Sequence, residues 1–296
     1  MPPSFTDVEH SAADVLIGLA LAEDLREAGD LTSGALIRED VQAEVNVVAR
    51  QAGVLSGTLV GKAVYAQLDD EVCWSALVSD GTHVEPGTVV ASVTGPLRSV
   101  LTGERTALNF FTHLSGIATL TDQFVDSIAG TDAVILDTRK TLPGYRVLQK
   151  YAVRCGGGTN HRMGLFDGCL IKDNHLAAWT ARETGQGIAD AVRHAQRQVP
   201  AGVPVEVEVD TLEQLSDVLE ARPDVVLLDN MGPATLREAI ALRNQRAPGV
   251  QLEASGGISL DNVGAIAETG VERISIGALT HSAAALDLAF DWKRRI

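Results

Sequence analysis

The sequence predicts an α/β protein built on a parallel β-sheet, and three observations lead to this fold class. From residue 131 onward, short apolar segments alternate with segments of helical periodicity. Aromatic residues make up only 4% of the chain while Ala, Val, Leu and Gly are abundant, which is typical of packed helices and parallel strands. About six strand–helix units follow one another without a dinucleotide-binding fingerprint. This repetition favours a closed or nearly closed barrel over a doubly wound open sheet.

The sequence of the N-terminal third predicts a separate structural layer that precedes the parallel sheet. Residues 11–28 have the pattern of an amphipathic helix, with Ser11 as its N-cap. Residues 41–102 contain alternating or β-branched segments between Gly-rich turns, and we interpret them as strands of a scaffold.

A second helix is expected over residues 103–129, with Arg105 in its first turn. The helix dipole disfavours a cation at that position. A partner for Arg105 is therefore expected, either Glu104 or a group on another molecule.

The remaining elements follow from hydrophobic periodicity. Strands are predicted at Ala133–Leu136, Gly168–Ile171, Val205–Val209, Val225–Leu228, Gln251–Ala254 and Arg273–Ile276. Helices are predicted at about 144–153, 185–198, 211–221, 233–246 and 259–269. A C-terminal helix over 282–296 is expected to pack back on the N-terminal layer.

Polar residues follow the predicted strands, and in a parallel barrel these strand ends carry the chemistry. A single strand-end Asp is often only the N-cap of the next helix, but polar groups at every strand end favour a site. The positions are Asp137-Thr138-Arg139-Lys140, Lys172-Asp173-Asn174-His175, Glu206, Glu208, Asp210, Asp229-Asn230, Glu253, Ser255-Gly256-Gly257 and Gly277-Ala278.

The charge distribution is uneven. The chain has a formal net charge of -15, yet residues 139–172 contain seven Lys or Arg and one acid, Asp167, for a net charge of +6. A cationic segment in an acidic protein, with the glycines 156–158 inside it, indicates a site for a small multiply charged anion. A solvated basic helix face is the alternative interpretation.

These residue types suggest one substrate with carboxylates and another with phosphates. Arg139 and Arg162 suit bidentate binding of carboxylates. Lys140 and Lys172 supply point charges, and the loops Ser255-Gly256-Gly257 and Gly277-Ala278 are similar to the two phosphate-holding loops of barrel enzymes. Glu208 and Asp229 suit a hydrated Mg²⁺, or else they form ion pairs with these lysines.

Composition excludes several classes of protein. No apolar run approaches about 18 residues, so no transmembrane span is expected, and the N-terminus has no secretory signal. Three cysteines at no metal-binding spacing predict a reduced, cytoplasmic protein. Strong net acidity disfavours nucleic-acid and anionic-membrane partners.

Several segments resemble quinolinate phosphoribosyltransferase, across nearly the whole chain. The similarity lies in DTRKTLPGYRVLQKYAVRCGGGTNHRMGLFDGCLIKDNH, GERTALNFFTHLSGIAT, VEVEVDTLEQ, VVLLDNM and LEASGGI. The resemblance implies that quinolinate reacts with 5-phosphoribosyl-1-diphosphate to give nicotinate mononucleotide, diphosphate and CO₂ in NAD biosynthesis. It implies an N-terminal α/β sandwich over residues 1–115 and an incomplete, open α/β barrel over residues 116–281.

The resemblance also implies roles for residues. The dicarboxylate would be bound by Arg105, Arg139, His161, Arg162 and Lys172. The phosphoribosyl diphosphate and its Mg²⁺ would be bound by Lys140, Glu208, Asp229, Ser255, Gly256, Gly257, Gly277 and Ala278. Thr138 is a further expected substrate-binding residue. Within these sets Lys140, Lys172, Glu208 and Asp229 are the expected catalytic residues, with no organic cofactor. The family's homodimer implies that Arg105 reaches the site of a second subunit.

Three alternatives remain open from the sequence. A paralogue would keep the phosphoribosyl chemistry but take another acid, such as nicotinate, or belong to a branch linked to molybdate uptake. A barrel aldolase would use Lys172 as a Schiff-base nucleophile. A non-catalytic sensor would bind a phosphate ligand on the same fold.

Overall fold

The computed structural model describes residues 3–182 and 187–293, and the chain divides into two compact units. The first unit comprises Met1–Asp122, Lys140–Gly158 and Ala278–Ile296, and the second comprises Gln123–Arg139 and Thr159–Gly277. The predicted boundaries near residues 115 and 281 stay predictions. Among the described helices, none has the length and apolarity needed to cross a bilayer.

The first unit contains a four-stranded antiparallel sheet and a two-stranded antiparallel sheet. The strands are β1 (Gln42–Ala49), β2 (Gly53–Val54), β3 (Cys73–Ala76), β4 (His83–Val84), β5 (Val89–Pro96) and β12 (Leu288–Trp292). The sheet order is β12-β1-β5-β3, and β2 pairs with β4. The helices that begin in this unit are α1 (Asp7–Leu25), α2 (Leu31–Leu36), α3 (Thr58–Leu68), α4 (Leu97–Ser127), α5 (Arg146–Cys155) and α11 (Ala278–His281).

Helix α3 was not predicted, since its residues were assigned to strands. Its N-cap, Gly57, has no side chain to accept a hydrogen bond. The carboxylate of Asp80 instead accepts bonds from the backbone N–H of Gly57 at 2.9 Å and of Thr58 at 3.1 Å. A cap more than 20 residues away leaves no local start signal in the sequence.

The predicted C-terminal helix over 282–296 is wrong. Leu288–Trp292 forms β12, which pairs antiparallel with β1, with Val45 opposite Trp292 and Ala49 opposite Leu288. This pairing satisfies the otherwise unpaired backbone groups along one edge of β1, and tertiary pairing of this kind overrides local helix preference. Residues 294–296 lie outside the described part of the chain.

The second unit contains six parallel strands. They are β6 (Val134–Leu136), β7 (Cys169–Ile171), β8 (Val205–Val209), β9 (Val225–Asp229), β10 (Gln251–Ser255) and β11 (Arg273–Ser275). All six predicted strands are confirmed within one residue at each end. The order is β6-β11-β10-β9-β8-β7, and among the described residues β6 and β7 do not pair with each other, so the α/β sheet is open.

Helices connect these strands. They are α6 (Asp173–Arg182), α7 (Ile188–Gln198), α8 (Leu212–Val218), α9 (Pro233–Arg246) and α10 (Val263–Ala267). Helix α6 was not predicted, and α8 continues as a 3-10 turn over Leu219–Ala221. The first residues of the helix predicted over 185–198 fall partly outside the described residues.

The two faces of the six-stranded sheet differ in chemistry. One face is apolar and buried, with Val207, Val226, Leu252 and Ile274 all at 0% exposure. Alternation along the strands places the other side chains on the opposite face, where most are polar. Parallel strands are usually apolar on both faces, so a polar face on such a sheet indicates a functional surface.

Candidate active site

The polar face of the second unit brings together residues from four neighbouring strands. Register pairs Glu208 on β8 with Leu227 on β9, Leu227 with Glu253 on β10, and Glu253 with Arg273 on β11. One row further along, Asp229 lies beside Ser255. The carboxylates predicted as strand-end residues therefore share one face.

The segment after β6 begins with a buried carboxylate. Asp137 is 0% exposed. Its Oδ1 accepts the backbone N–H of His161 at 2.9 Å, and its Oδ2 accepts the side-chain N–H of Asn160 at 2.6 Å. Thr159 forms an isolated parallel bridge with Leu136. Asp137 thus positions the loop that carries His161 and Arg162 rather than facing a ligand.

His161 lies among three charged groups. Its Nε2 is 3.1 Å from Glu206 Oε2 and 3.4 Å from Glu253 Oε1, and Glu253 Oε2 accepts a bond from Arg273 Nε at 2.8 Å. Burial lowers the pKa of His161, but hydrogen bonds and charge from the two carboxylates outweigh burial and raise the pKa to about 9.

Glu253 shows the reciprocal effect. Burial raises the pKa of Glu253, while the hydrogen bond to His161 and the charges of His161 and Arg273 outweigh burial and hold it below its ordinary value. The carboxyl group is therefore ionised at neutral pH even though its side chain is 0% exposed.

Arg139 and Arg162 form a pair of partly buried cations. Burial, together with the positive charge of Arg139, lowers the pKa of Arg162. Arg162 Nη1 donates to the backbone carbonyl of Gly168 at 2.9 Å. Arg139 Nε is buried and has no hydrogen-bond partner among the described residues. Two like charges and an unsatisfied donor are the conditions that a bound carboxylate relieves.

Lys172 and Glu208 form an ion pair, with Lys172 Nζ bonded to Glu208 Oε2. The interpretation of Glu208 as an ion-pair partner of a lysine is thus observed. Asp229 is half-buried, and its Oδ2 accepts a bond from Asn230 Nδ2 at 2.6 Å. Glu208 and Asp229 offer carboxylate oxygens on one face, which is the donor chemistry that Mg²⁺ prefers.

The loop Ser255-Gly256-Gly257 needs its glycines. Gly256 has φ +88°, and a Cβ there would lie 2.2 Å from Asn230 Oδ1. Gly257 also has a positive φ, +61°, but a Cβ would meet no atom within 4 Å. Gly277 follows β11 at the same edge of the sheet. These backbone groups lie where the two phosphate-holding loops were predicted.

Three predicted site residues belong to the first unit. Lys140 is exposed, and its backbone carbonyl accepts a hydrogen bond from Thr280 Oγ1 at 2.8 Å. Thr280 lies in α11, which begins at the second predicted residue, Ala278. Arg105 is exposed as well, but α4 begins at Leu97, so Arg105 lies inside the helix. The placement of Arg105 in a first turn, and the dipole argument built on it, is wrong.

Sequence reasoning assigned no role to three of the groups around His161. Glu206, Glu253 and Arg273 come from three different strands, and only the fold brings them together. The signal available was the alternation VEVEV in β8, where two glutamates interrupt a segment that would otherwise be apolar. Of the other predicted residues, Thr138 lies half-buried between Asp137 and Arg139.

The fold and this face together define a class of protein. An open parallel α/β sheet with paired arginines, strand-end carboxylates and glycine loops on one face is the architecture of an α/β enzyme that acts on small anions.

Comparison with known proteins narrows the class to a family. The family model for the N-terminal domain of quinolinate phosphoribosyl transferase matches residues 30–115, and that for the C-terminal domain matches residues 117–291. The chain belongs to the quinolinate phosphoribosyltransferase family.

Individual relatives agree with this assignment. The chain is 44% identical over 288 residues to the carboxylating nicotinate-nucleotide pyrophosphorylase of Mycobacterium leprae, covering 97% of this chain and 99% of the relative. It is 40% identical over 284 residues to a probable enzyme of the same name from Bacillus subtilis, covering 96% and 94%. The solved nicotinate-nucleotide pyrophosphorylase of Francisella tularensis superposes with a TM-score of 0.87 at 40% identity, covering 95% and 96% of the two chains.

Proposed function

We propose that this chain transfers the phosphoribosyl group of 5-phosphoribosyl-1-diphosphate to quinolinate. The products are nicotinate mononucleotide, diphosphate and CO₂, in a step of NAD biosynthesis. Family membership supports this reaction. The relative from Mycobacterium leprae is named as a carboxylating enzyme and that from Bacillus subtilis as a probable one, which disfavours a paralogue acting on another acid.

The single observation that carries the proposal is the arginine pair. Arg139 and Arg162 lie close enough for one charge to depress the pKa of the other, and Arg139 Nε lacks a partner. Two guanidinium groups match the two carboxylates of quinolinate in charge and number, since each forms two parallel hydrogen bonds to a carboxylate.

The remaining predicted residues divide between the two substrates. Lys172, His161 and Arg105, the last from a second copy of the chain, complete the dicarboxylate site. The phosphoribosyl diphosphate is assigned to Lys140, to two carboxylates and to the glycine loops, namely Glu208, Asp229, Ser255, Gly256, Gly257, Gly277 and Ala278. Thr138 remains a substrate-binding residue assigned to neither substrate in particular.

In the first chemical step the ring nitrogen of quinolinate attacks the ribose carbon as diphosphate leaves. The ribose becomes oxocarbenium-like, so positive charge develops on the sugar and negative charge on the leaving group. Glu208 and Asp229 stabilise the sugar electrostatically, while Lys140 and Lys172 stabilise the diphosphate. The ion pair between Lys172 and Glu208 holds both groups in place before substrate binds.

Glu208 and Asp229 would hold Mg²⁺, through water, on the diphosphate. Bound there, the ion would neutralise charge on the departing oxygens. Their shared face and oxygen donors fit this ion.

The second step releases CO₂ from the ring. Once the ring nitrogen is bonded to ribose, it is quaternary and positive, so it stabilises the electron pair that stays on the ring carbon as the C–CO₂ bond breaks. That carbon then takes up a proton from solvent to give nicotinate mononucleotide. The protein needs only to orient the ring, which the arginines do through the carboxylates. The site residues are therefore assigned binding and electrostatic roles, and none is nominated as a general base.

We further propose a cytoplasmic homodimer with shared active sites. The solvent exposure of Arg105 allows it to reach a second copy. The three cysteines are all free thiols, as is usual in a reducing compartment.

Product analysis by mass spectrometry tests the reaction. Purified protein is incubated with phosphoribosyl diphosphate and Mg²⁺, with quinolinate in one tube and nicotinate in another. We expect nicotinate mononucleotide and CO₂ from quinolinate only. Product from nicotinate alone, or from neither acid, would overturn the proposal.

The aldolase alternative makes a separate demand on Lys172. A Schiff base requires an amine that is free to attack a carbonyl, whereas the Lys172 amine is bonded to Glu208. Borohydride treatment with a carbonyl compound should therefore give no covalent adduct at Lys172.

A further inference from the structure

His161 is held at its backbone N–H and at both ring nitrogens. Its backbone N–H donates to Asp137 Oδ1 at 2.9 Å, and its Nδ1 accepts the backbone N–H of Arg162 at 2.8 Å. Its Nε2 lies between Glu206 and Glu253, at 3.1 and 3.4 Å. The side chain is only 10% exposed. Both ring nitrogens are thus committed to protein groups, and neither is directed to a substrate carboxylate.

These contacts place a proton on Nε2. A neutral imidazole has one donor and one acceptor nitrogen. Because Nδ1 accepts from Arg162, the donor is Nε2, and it faces the two carboxylates.

A metal ion between the same groups is the competing interpretation. His161, Glu206 and Glu253 offer ligand atoms that all lie within 4.8 Å of one another. A metal on Nε2 would require the lone pair of that atom and would leave Nδ1 as an N–H donor. Nδ1 instead faces another donor, the Arg162 N–H. The hydrogen bonding therefore favours a proton over a metal.

We propose that Glu206 and Glu253 are positioning residues, which hold His161 by Nε2–H and thereby fix the backbone that presents Arg162 to the dicarboxylate. The inference rests on the proposed function, in which Arg162 binds quinolinate. It also changes the role of His161 from a direct ligand of the substrate to the link between the sheet and Arg162.

The link is anchored on several strands. Glu206 is 7% exposed on β8, Glu253 is 0% exposed on β10, and Arg273 on β11 neutralises Glu253. Buried charges that pair in this way form a stiff network, because an unpaired member would be costly. At its other end, the Arg162 side chain is bound to the carbonyl of Gly168. Arg162 is held at its backbone and at its guanidinium before any substrate arrives.

The first test is independent of substrate. The full chain is labelled with ¹⁵N-histidine, and the His161 signals are assigned by their loss in His161→Asn. We expect Nε2 of the wild-type protein to be protonated throughout pH 6–10. An unprotonated Nε2 at neutral pH would overturn the proposal, as would stoichiometric Zn²⁺ binding that is lost in His161→Asn.

The second test separates positioning from stability. Glu206→Gln and Glu253→Gln should raise KM for quinolinate about ten-fold or more, and leave KM for phosphoribosyl diphosphate within about two-fold. The matched control is Glu272→Gln, whose carboxylate bonds Arg243 at 2.6 Å and the Leu252 N–H at 3.0 Å on the same sheet.

Glu272→Gln should lower the melting temperature without changing KM for quinolinate. An unchanged KM for quinolinate in folded Glu206→Gln would overturn the proposal. If Glu206→Gln does not fold, the proposal is tested by the ¹⁵N spectrum of the wild-type chain, which shows whether Nε2 of His161 is protonated. Failure of the wild-type protein to convert quinolinate would count against the proposed function instead, and the spectrum would still decide how His161 is held.

Discussion

At the scale of single residues, one buried hydrogen-bond donor in the site has no acceptor among the described residues. A buried donor without an acceptor costs free energy, and proteins keep such groups mainly where a ligand completes them. Arg139 Nε is such a group. Its neighbour Arg162 has a lowered pKa, caused by burial and then by the charge of Arg139. An anion with two carboxylates would remove both penalties together.

Arg139→Ala should weaken quinolinate binding by about 2–5 kcal/mol, the range for losing one partner of a desolvated charge pair. Isothermal titration of the purified variant measures this loss. Arg193→Ala is the matched control, since Arg193 is 41% exposed and pairs with Asp190 on a helix surface. Affinity equal to that of the wild type in Arg139→Ala would remove Arg139 from the site.

Glu208→Gln should lower kcat by about 100-fold or more, because it removes charge aimed at the developing cation. KM for quinolinate should rise far less than kcat falls, since Glu208 is assigned to the ribose and Mg²⁺ and affects quinolinate only through its ion pair with Lys172. Steady-state kinetics with each substrate varied in turn measures both. A rise in KM for quinolinate with kcat unchanged would contradict this assignment.

The sequence predicted the basic residues of the site better than the acidic ones. Arg139 and Lys172 follow predicted strands closely, and together with Arg162 they lie in one unusually cationic segment. Glu206 and Glu253 gain their role from His161, which lies far from both in sequence. Contacts between residues so far apart depend on register, which hydrophobic patterning alone does not specify.

At the scale of elements, the loop after β10 depends on backbone conformation. Gly256→Ala should destabilise the protein by more than the roughly 1–2 kcal/mol that a left-handed φ costs, because its Cβ would also clash with Asn230. Gly257→Ala is the control, since it has a positive φ but open space around it. Thermal unfolding of the two variants, together with KM for phosphoribosyl diphosphate, measures the difference. If both variants lose the same unfolding free energy, the contact between the new Cβ and Asn230 adds no destabilisation, and the prediction is wrong.

Helix α1 supplies a test of pH dependence. Glu9 closes the capping box with Thr6 and accepts a bond from Arg154 at 2.7 Å. Burial raises the pKa of Glu9, and the hydrogen bonds from Thr6 and Arg154 outweigh burial and lower it below 4.5. A depressed folded-state pKa stabilises the fold above the unfolded value, and this contribution is lost as pH falls through the folded value.

Glu9→Gln should therefore reduce the free energy of unfolding by about 1–3 kcal/mol at pH 7, and the difference from the wild type should shrink below pH 4.5. Urea unfolding at pH 3 and pH 7 measures both. Glu39→Gln is the control, because Glu39 is 88% exposed and its pairing with Arg98 is open to solvent. A difference that persists unchanged at pH 3 would contradict the role of the ionised carboxylate.

Elements with strong local patterns were predicted, and elements that depend on distant partners were not. The six parallel strands contain short apolar segments that alternate with helical segments, so their positions follow from local patterning. The N-terminus of helix α3 is capped by the side chain of Asp80, and β12 is a strand because it pairs with β1. Neither partner is adjacent in the sequence.

At the scale of the whole molecule, a shared active site predicts complementation. Arg105→Ala and Arg139→Ala should each be nearly inactive alone. Mixed under conditions that allow subunit exchange, they should regain part of the wild-type activity, because one hybrid site contains both arginines. Arg38→Ala, which alters an exposed Arg–Asp pair, should leave activity unchanged. No recovery after verified exchange would rule out Arg105 acting across subunits.

The interleaving of the first unit bears on how the protein is made. Its residues come from the beginning, the middle and the end of the chain, and β1 obtains one of its two neighbours only when β12 has been synthesised. A ribosome adds about 5–20 residues per second, so that edge of β1 remains open for roughly ten seconds or more after β1 emerges. An exposed strand edge over that interval is a template for pairing with other chains. Removal of the last strand should therefore show first as aggregation during expression, before any loss of catalytic power in the molecules that fold.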